Sequence, residues 1–249
     1  MIVAASTRCF PDLPLTDTLQ KLVDLEYTSV EIEIDELGNK FRPSQVAADL
    51  ERSVDICRNT LRLTPAAYNL NITAEGEAYY DQFTAICRLA KATKVVPLIV
   101  PSGELGTPFN EEVERLQRLV SIAAVEGCVV GVKTEGGRIS QDAATITVLC
   151  EHVKGLGVTL DPSHFVYGPQ AGSSYDSIMK YVCHVQLRDT KKDELQVRVG
   201  QGEVEYGRLV ALLEKDKYSQ ALCVDMQPIP EVDHMAEMRK MRLLLESLL

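Results

Sequence analysis

Short apolar runs alternate with longer stretches in which apolar residues recur every three or four positions. The runs Ile2–Ala5, Ser29–Ile34, Leu61–Ala67, Val95–Val100, Cys128–Thr134, Val158–Leu160, Val182–Leu187 and Leu222–Val224 read as buried strands. Between and after them, Pro14–Leu25, Ser44–Thr60, Glu75–Ala92, Asn110–Glu126, Asp142–Val153, Ser174–Tyr181, Tyr206–Lys215 and Val232–Leu248 carry the helical period. In the first helix the apolar stripe is Leu15, Leu19, Leu22 and Val23; in the last it is Met238, Met241, Leu244 and Leu245. Asn110 is the expected N-cap of its helix, and Gly127 the left-handed residue that ends it. Strand and helix thus alternate eight times at roughly 30 residues per unit, the spacing of a (β/α)₈ TIM barrel. No linker or low-complexity segment interrupts the rhythm, so a single barrel domain over residues 1–249 is expected.

Composition narrows the function. Hydrophobic residues make up 45% of the chain and charged residues 25%, which suits a globular protein with a large core. The net charge of −10 argues against a nucleic-acid partner, although one or two local cations suffice to hold a phosphorylated small molecule. The seven cysteines are scattered without a CxxC pair, as buried thiols of a reducing compartment are. No window approaches a membrane span and the N-terminus lacks a basic, then apolar leader, so a cytoplasmic protein without a membrane partner is expected.

Candidate chemistry gathers where strands end, because that end carries the active sites of barrels. In Gly157-Val158-Thr159-Leu160-Asp161-Pro162-Ser163-His164 the strand stops at Asp161, since Pro162 has no amide proton for a ladder. Taken alone, Asp161 reads equally well as a turn cap. Glu135, Gln186 and Asp225 also follow late apolar runs, and four neighbouring strand ends can ring one point. Three carboxylates and an amide oxygen suit a hard divalent ion, Mn²⁺ or Mg²⁺, with Zn²⁺ or Co²⁺ as further candidates. Without a cation, such crowding would drive one carboxylate to protonate. On the second strand, Glu31 and Glu33 alternate with Val30, Ile32 and Ile34 and face either the lumen or solvent. His184 lies on the same side of its strand as Gln186 and reads as a satisfied core histidine. Arg188, Lys191, Lys192 and Arg198 form a basic loop, either an anchor for an anionic group or a solvated balance to Asp189, Asp193 and Glu194. Gly200-Gln201-Gly202 reads as a turn rather than a phosphate cradle.

The segments Gly131-Val132-Lys133-Thr134-Glu135, Asp161-Pro162-Ser163-His164, His184-Val185-Gln186-Leu187-Arg188-Asp189 and Gly200-Gln201-Gly202-Glu203 resemble the xylose-isomerase-like sugar isomerase and epimerase barrels. The resemblance spans the chain. It implies a divalent-metal-dependent isomerase or epimerase of a sugar, sugar phosphate or small hydroxy-ketone, working through an enediolate. It implies Glu135, Asp161, Gln186 and Asp225 as metal ligands, Glu135 and Asp225 as the acid/base pair, and His164 as a substrate contact; if the basic loop is an anchor, Arg188 and Arg198 are its substrate-binding residues. Two positions depart from the family pattern: Gln186 where histidine is common, and Asp225 where glutamate is usual. The alternatives are a dehydratase or lyase of the inosose or dehydroshikimate type, and a non-catalytic sugar-binding barrel. The expected partner is a small carbohydrate, with homo-oligomerisation left open.

Overall fold

The computed structural model describes residues 1–249 and shows a closed barrel of eight parallel strands in the order β1-β2-β3-β4-β5-β6-β7-β8. The strands are β1 (Ile2–Ser6), β2 (Ser29–Asp35), β3 (Thr64–Asn71), β4 (Pro97–Val100), β5 (Val129–Lys133), β6 (Gly157–Leu160), β7 (Val182–Leu187) and β8 (Ala221–Val224). The helices are α1 (Leu15–Asp24), α2 (Pro43–Ala48), α3 (Leu50–Arg58), α4 (Gly76–Thr93), α5 (Phe109–Val125), α6 (Ala143–His152), α7 (Ser163–Val166), α8 (Tyr206–Lys215) and α9 (His234–Glu246).

Strand alternation sorts the residues into two environments. Val30, Ile32 and Ile34 of β2, Val130 and Val132 of β5, and Leu222 and Val224 of β8 join one large apolar core between barrel and helices. The other face of the strands points into the lumen, where, apart from Ile99 of β4, side chains are small or polar: Ser6, Glu31, Asn69, Gly131, Lys133, Thr159, His184, Gln186 and Cys223. Gly131 and Gly157 are needed there, because a Cβ on either would collide with Cys183 Sγ.

Besides the added single-turn helix α7, four elements differ from the sequence expectation. The helix expected over 44–60 is broken at Asp49 (φ −148°, ψ 88°), whose side chain caps α3 through the Arg52 amide. β3 begins three residues later than expected, because Leu61 and Arg62 adopt left-handed φ of 51° and 74°. α5 is entered through Pro108 with no side-chain cap, so Asn110 does not serve as one, whereas Gly127 has the expected positive φ of 76°. The segment before β7 is a 3₁₀ helix over Asp176–Tyr181. All seven cysteines are free thiols, and no helix is long and apolar enough to cross a membrane.

Candidate active site

The lumen holds two polar layers. The lower is centred on Glu31, which is fully buried. Its Oε1 accepts hydrogen bonds from Ser6 Oγ (2.8 Å), Asn69 Nδ2 (3.2 Å) and Gln186 Nε2 (2.9 Å). Its Oε2 accepts from His184 Nε2 at 2.8 Å and from Gln186 Nε2 at 3.0 Å. Burial alone would raise the Glu31 carboxyl, but the hydrogen bond and charge of His184, with Gln186 and Ser6, bring it down to about 2. His184 is therefore core and bonded on one nitrogen, while its Nδ1 has no partner.

The upper layer lies at the C-terminal strand ends and is a charge cluster. Asp225 Oδ2 faces three cations: Arg8 Nη1 at 3.1 Å, Arg188 Nη2 at 3.4 Å and Lys133 Nζ at 3.7 Å. Arg188 Nη2 also holds Asp161 Oδ2 at 2.8 Å, and the Ser163 amide and hydroxyl donate to Asp161 Oδ1. Burial would raise the Asp161 carboxyl; Arg188, His164 and Lys133 outweigh it and hold the group well below the carboxylate range. Arg8 Nε reaches Glu33 Oε1 at 3.4 Å. Burial raises the Glu33 carboxyl above its ordinary value despite Arg8. Arg8 comes from the turn after β1 and is a site residue that sequence reasoning missed, as is Lys133, whereas Glu33 takes the lumenal one of the two placements open to it.

The four expected metal ligands do not converge. Lys133, not Glu135, is the lumenal side chain that ends β5. Glu135 lies two residues further on, 37% exposed, paired with Arg138 at 2.9 Å. Gln186 points its amide nitrogen down to Glu31, and its Oε1 has no partner. Glu135, Asp161 and Asp225 do not form a group with ligand atoms all within 4.8 Å of one another. The four expected donors are not gathered on one point in this structure, and cationic side chains lie against Asp161 and Asp225.

The expected substrate contacts separate similarly. Arg188 is buried in the cluster. Arg198 is 50% exposed and turns outward to Glu237 of α9 at 3.5 Å. His164 Nδ1 accepts from the Gly136 amide at 3.2 Å, which puts the ring proton on Nε2, 3.7 Å from Asp161 Oδ2. Burial pushes the imidazole pKa down, against the pull of Asp161. The Gly200 and Gly202 amides donate to Asp189 Oδ2 at 2.8 and 2.9 Å, so this segment is a turn tied to β7.

A cavity of about 210 Å³ opens above the cluster, lined by Arg8, Glu33, Asn69, Lys133, Glu135 and Arg138 among others. Glu33, on β2, and Glu135, two residues beyond β5, both line it, from strands three places apart around the eight.

Residues 19–244 match the family of xylose isomerase-like TIM barrels. The chain belongs to this family. No match emerges among curated protein sequences. Among solved structures, the chain resembles a xylose isomerase-like TIM barrel protein of Mycobacterium smegmatis in complex with magnesium (13% identity, 100% of this chain and 98% of that one, TM-score 0.78). It also resembles the 3-keto-D-glucoside 4-epimerase YcjR of E. coli (13% identity, 99% of each chain, TM-score 0.74) and the IOLI protein with a bound zinc atom (16% identity, 100% and 98%, TM-score 0.74). At these identities the likeness is one of fold.

Two places in this xylose isomerase-like barrel bear on a metal. Glu31, His184 and Cys223 bring ligand atoms within 4.8 Å of one another and form a potential metal cluster in the lower layer. Donors on one tetrahedral ion at ~2.0–2.1 Å sit about 3.3 Å apart. The 2.8 Å between Glu31 and His184 is instead a hydrogen bond, and burial raises the Cys223 thiol well above its ordinary pKa, away from the thiolate a metal needs. In the upper layer, Arg8, Lys133 and Arg188 balance Glu33, Asp161 and Asp225 one for one. A divalent ion ~4 Å from one fixed cation is opposed by about 8 kcal/mol at an effective dielectric of ~20. The residues of the upper layer do not fit a divalent ion.

Proposed function

We propose that the protein is an isomerase or epimerase of a small polyhydroxy carbonyl compound, a sugar or sugar derivative, acting by proton transfer beside the carbonyl. The observation that carries this reading is Lys133. Its ammonium reaches the cavity from the β5 end, and its only carboxylate within 4 Å, Asp225, lies beyond hydrogen-bond distance. An oxyanion developing on a bound carbonyl would face this fixed charge, with Arg8 beside it.

Proton transfer also needs a base and an acid on the walls. Glu33 is the base in this reading: its raised pKa brings its proton affinity closer to the operating pH, where general catalysis is most efficient. Glu135, protonated at the start, delivers its own proton from the β5 side while Glu33 keeps the one it took, and both re-equilibrate with solvent after turnover. Delivery to the opposite face of the same carbon gives an epimer; delivery to the neighbouring carbon gives an isomer. Asp225 positions Arg8, Lys133 and Arg188 and does not itself carry the proton. Mn²⁺ or Mg²⁺ chelated at Asp161 and Asp225 has no place in this scheme, because their free charge is already matched by side chains.

The similar structures support the substrate class. They include an L-ribulose 3-epimerase, a D-tagatose 3-epimerase-like protein and a probable 3-DHS dehydratase. A dehydratase would share the first proton abstraction and differ in expelling a hydroxyl. The test is solvent deuterium incorporation into a panel of ketoses and 3-keto sugars. Wild type should exchange the proton next to the carbonyl, and Glu33→Gln should be slower by ~10²-fold or more. Binding without exchange across the panel would refute the enzyme reading in favour of a sugar-binding barrel.

A further inference from the structure

We propose that Lys133 and Arg188 take the place of a divalent ion in this barrel, and that Lys133 is the side chain that keeps such an ion out. Three buried oxygen donors remain on consecutive strands: Asp161 after β6, Gln186 on β7 and Asp225 after β8. Gln186 Oε1 and Asp225 Oδ1 are buried and have no hydrogen-bond partner, so each keeps its lone pairs free for a ligand. The next strand of the series, β5, ends on the lumenal side in Lys133. A fourth oxygen at this position would complete a hard-ion shell; an ammonium closes it.

Charge leads to the same place. Glu33, Asp161 and Asp225 are matched by Arg8, Lys133 and Arg188, so the layer is neutral without a metal. Replacing Lys133 by glutamate changes the local charge by two units, which is the charge of the ion. Arg188 Nη2 bridges Asp161 and Asp225 much as a metal would, at 2.8 and 3.4 Å. It is therefore the second side chain to remove.

The experiment measures metal binding and so is independent of the isomerase reading. Mn²⁺ is titrated into wild type, Lys133→Glu and Lys133→Glu/Arg188→Gln by calorimetry, with electron paramagnetic resonance of free Mn²⁺ as a second readout. Wild type should bind more weakly than about 1 mM, and at least one variant should take up one equivalent ~100-fold more tightly. One equivalent bound by wild type in the micromolar range would overturn the proposal. So would the absence of any gain in both variants, given circular dichroism spectra that match wild type. Should the variants fail to fold, the wild-type titration still decides, because stoichiometric binding there contradicts the proposal and its absence supports it.

Discussion

Glu31→Gln is the substitution whose cost can be worked from the structure. Five donor contacts converge on its two oxygens, from Ser6, Asn69, Gln186 and His184. A glutamine retains one oxygen and must turn an NH₂ group toward either His184 or the Ser6 and Asn69 side, where another donor faces it. The carboxyl lies at about 2 in the folded protein, against about 4.3 in an unfolded chain. That difference corresponds to about 3 kcal/mol of stability at neutral pH. Breaking a buried charged contact typically costs about 3–5 kcal/mol, a large part of a stability of about 5–15 kcal/mol.

The sign follows from the depressed pKa. The Glu31 contribution is complete above the unfolded value and is lost as pH falls through the folded one. About half of it should be gone by roughly pH 3. Urea unfolding followed by circular dichroism, at neutral pH and at steps down to that point, gives the two curves. Asp161, also held low by Arg188, makes both of them fall. Only the gap between wild type and Glu31→Gln reports on Glu31, and it should narrow on acidification. A gap below about 1 kcal/mol at pH 7, or one that does not change with pH, would refute the account of the lower layer.

Three other outcomes are expected. Gly202→Ala should destabilise by about 1–3 kcal/mol, because its Cβ would run into the Asp189 carboxylate and lie 2.6 Å from the Thr190 amide; a Tm within a degree of wild type would contradict this. The His164 imidazole should titrate below the ordinary histidine value in a ¹H–¹⁵N NMR experiment, contributing stability above that value that fades as pH falls; a midpoint above 6.5 would show that burial does not govern it. Arg198→Ala should leave deuterium exchange within about twofold, since Arg198 faces Glu237 and solvent; a tenfold loss would put it back among the substrate contacts.

The barrel was legible because strand and helix periods alternate without interruption, and the register errors fall where backbone geometry overrides pattern. Nothing in Thr60-Leu61-Arg62-Leu63 announces two consecutive left-handed residues, so β3 was placed too early. The site was legible as a location and less so as a set of contacts. Asp161, Arg188 and Asp225 do meet near the strand ends, while Gln186 turns down to Glu31. Glu135 was singled out because it is the first acid after an apolar run, yet β5 already ends at Lys133. Alternation points to Lys133 as the last lumenal residue of the strand: Val130 and Val132 face the helices, so Gly131 and Lys133 face the lumen. Glu135 shares that parity, but the chain has left the ladder by then and turns at Gly137 with φ of 82°. Arg8 left no local signal, since its partner Asp225 is 217 residues away.

Alternation also shows why the upper layer is costly to alter in part. A buried charge persists only when paired, and here each carboxylate shares its cations with another. Removing Asp225 would leave Lys133 without a carboxylate within 4 Å and Arg8 with Glu33 alone. Removing Lys133 would relieve Asp225 of one of three cations, the smaller disturbance, which is why position 133 is the practical one to change. The arrangement that makes Lys133 removable also leaves its ammonium without a hydrogen-bonded carboxylate. A cation held in place by neighbours, yet unsaturated, needs little reorganisation when negative charge develops beside it.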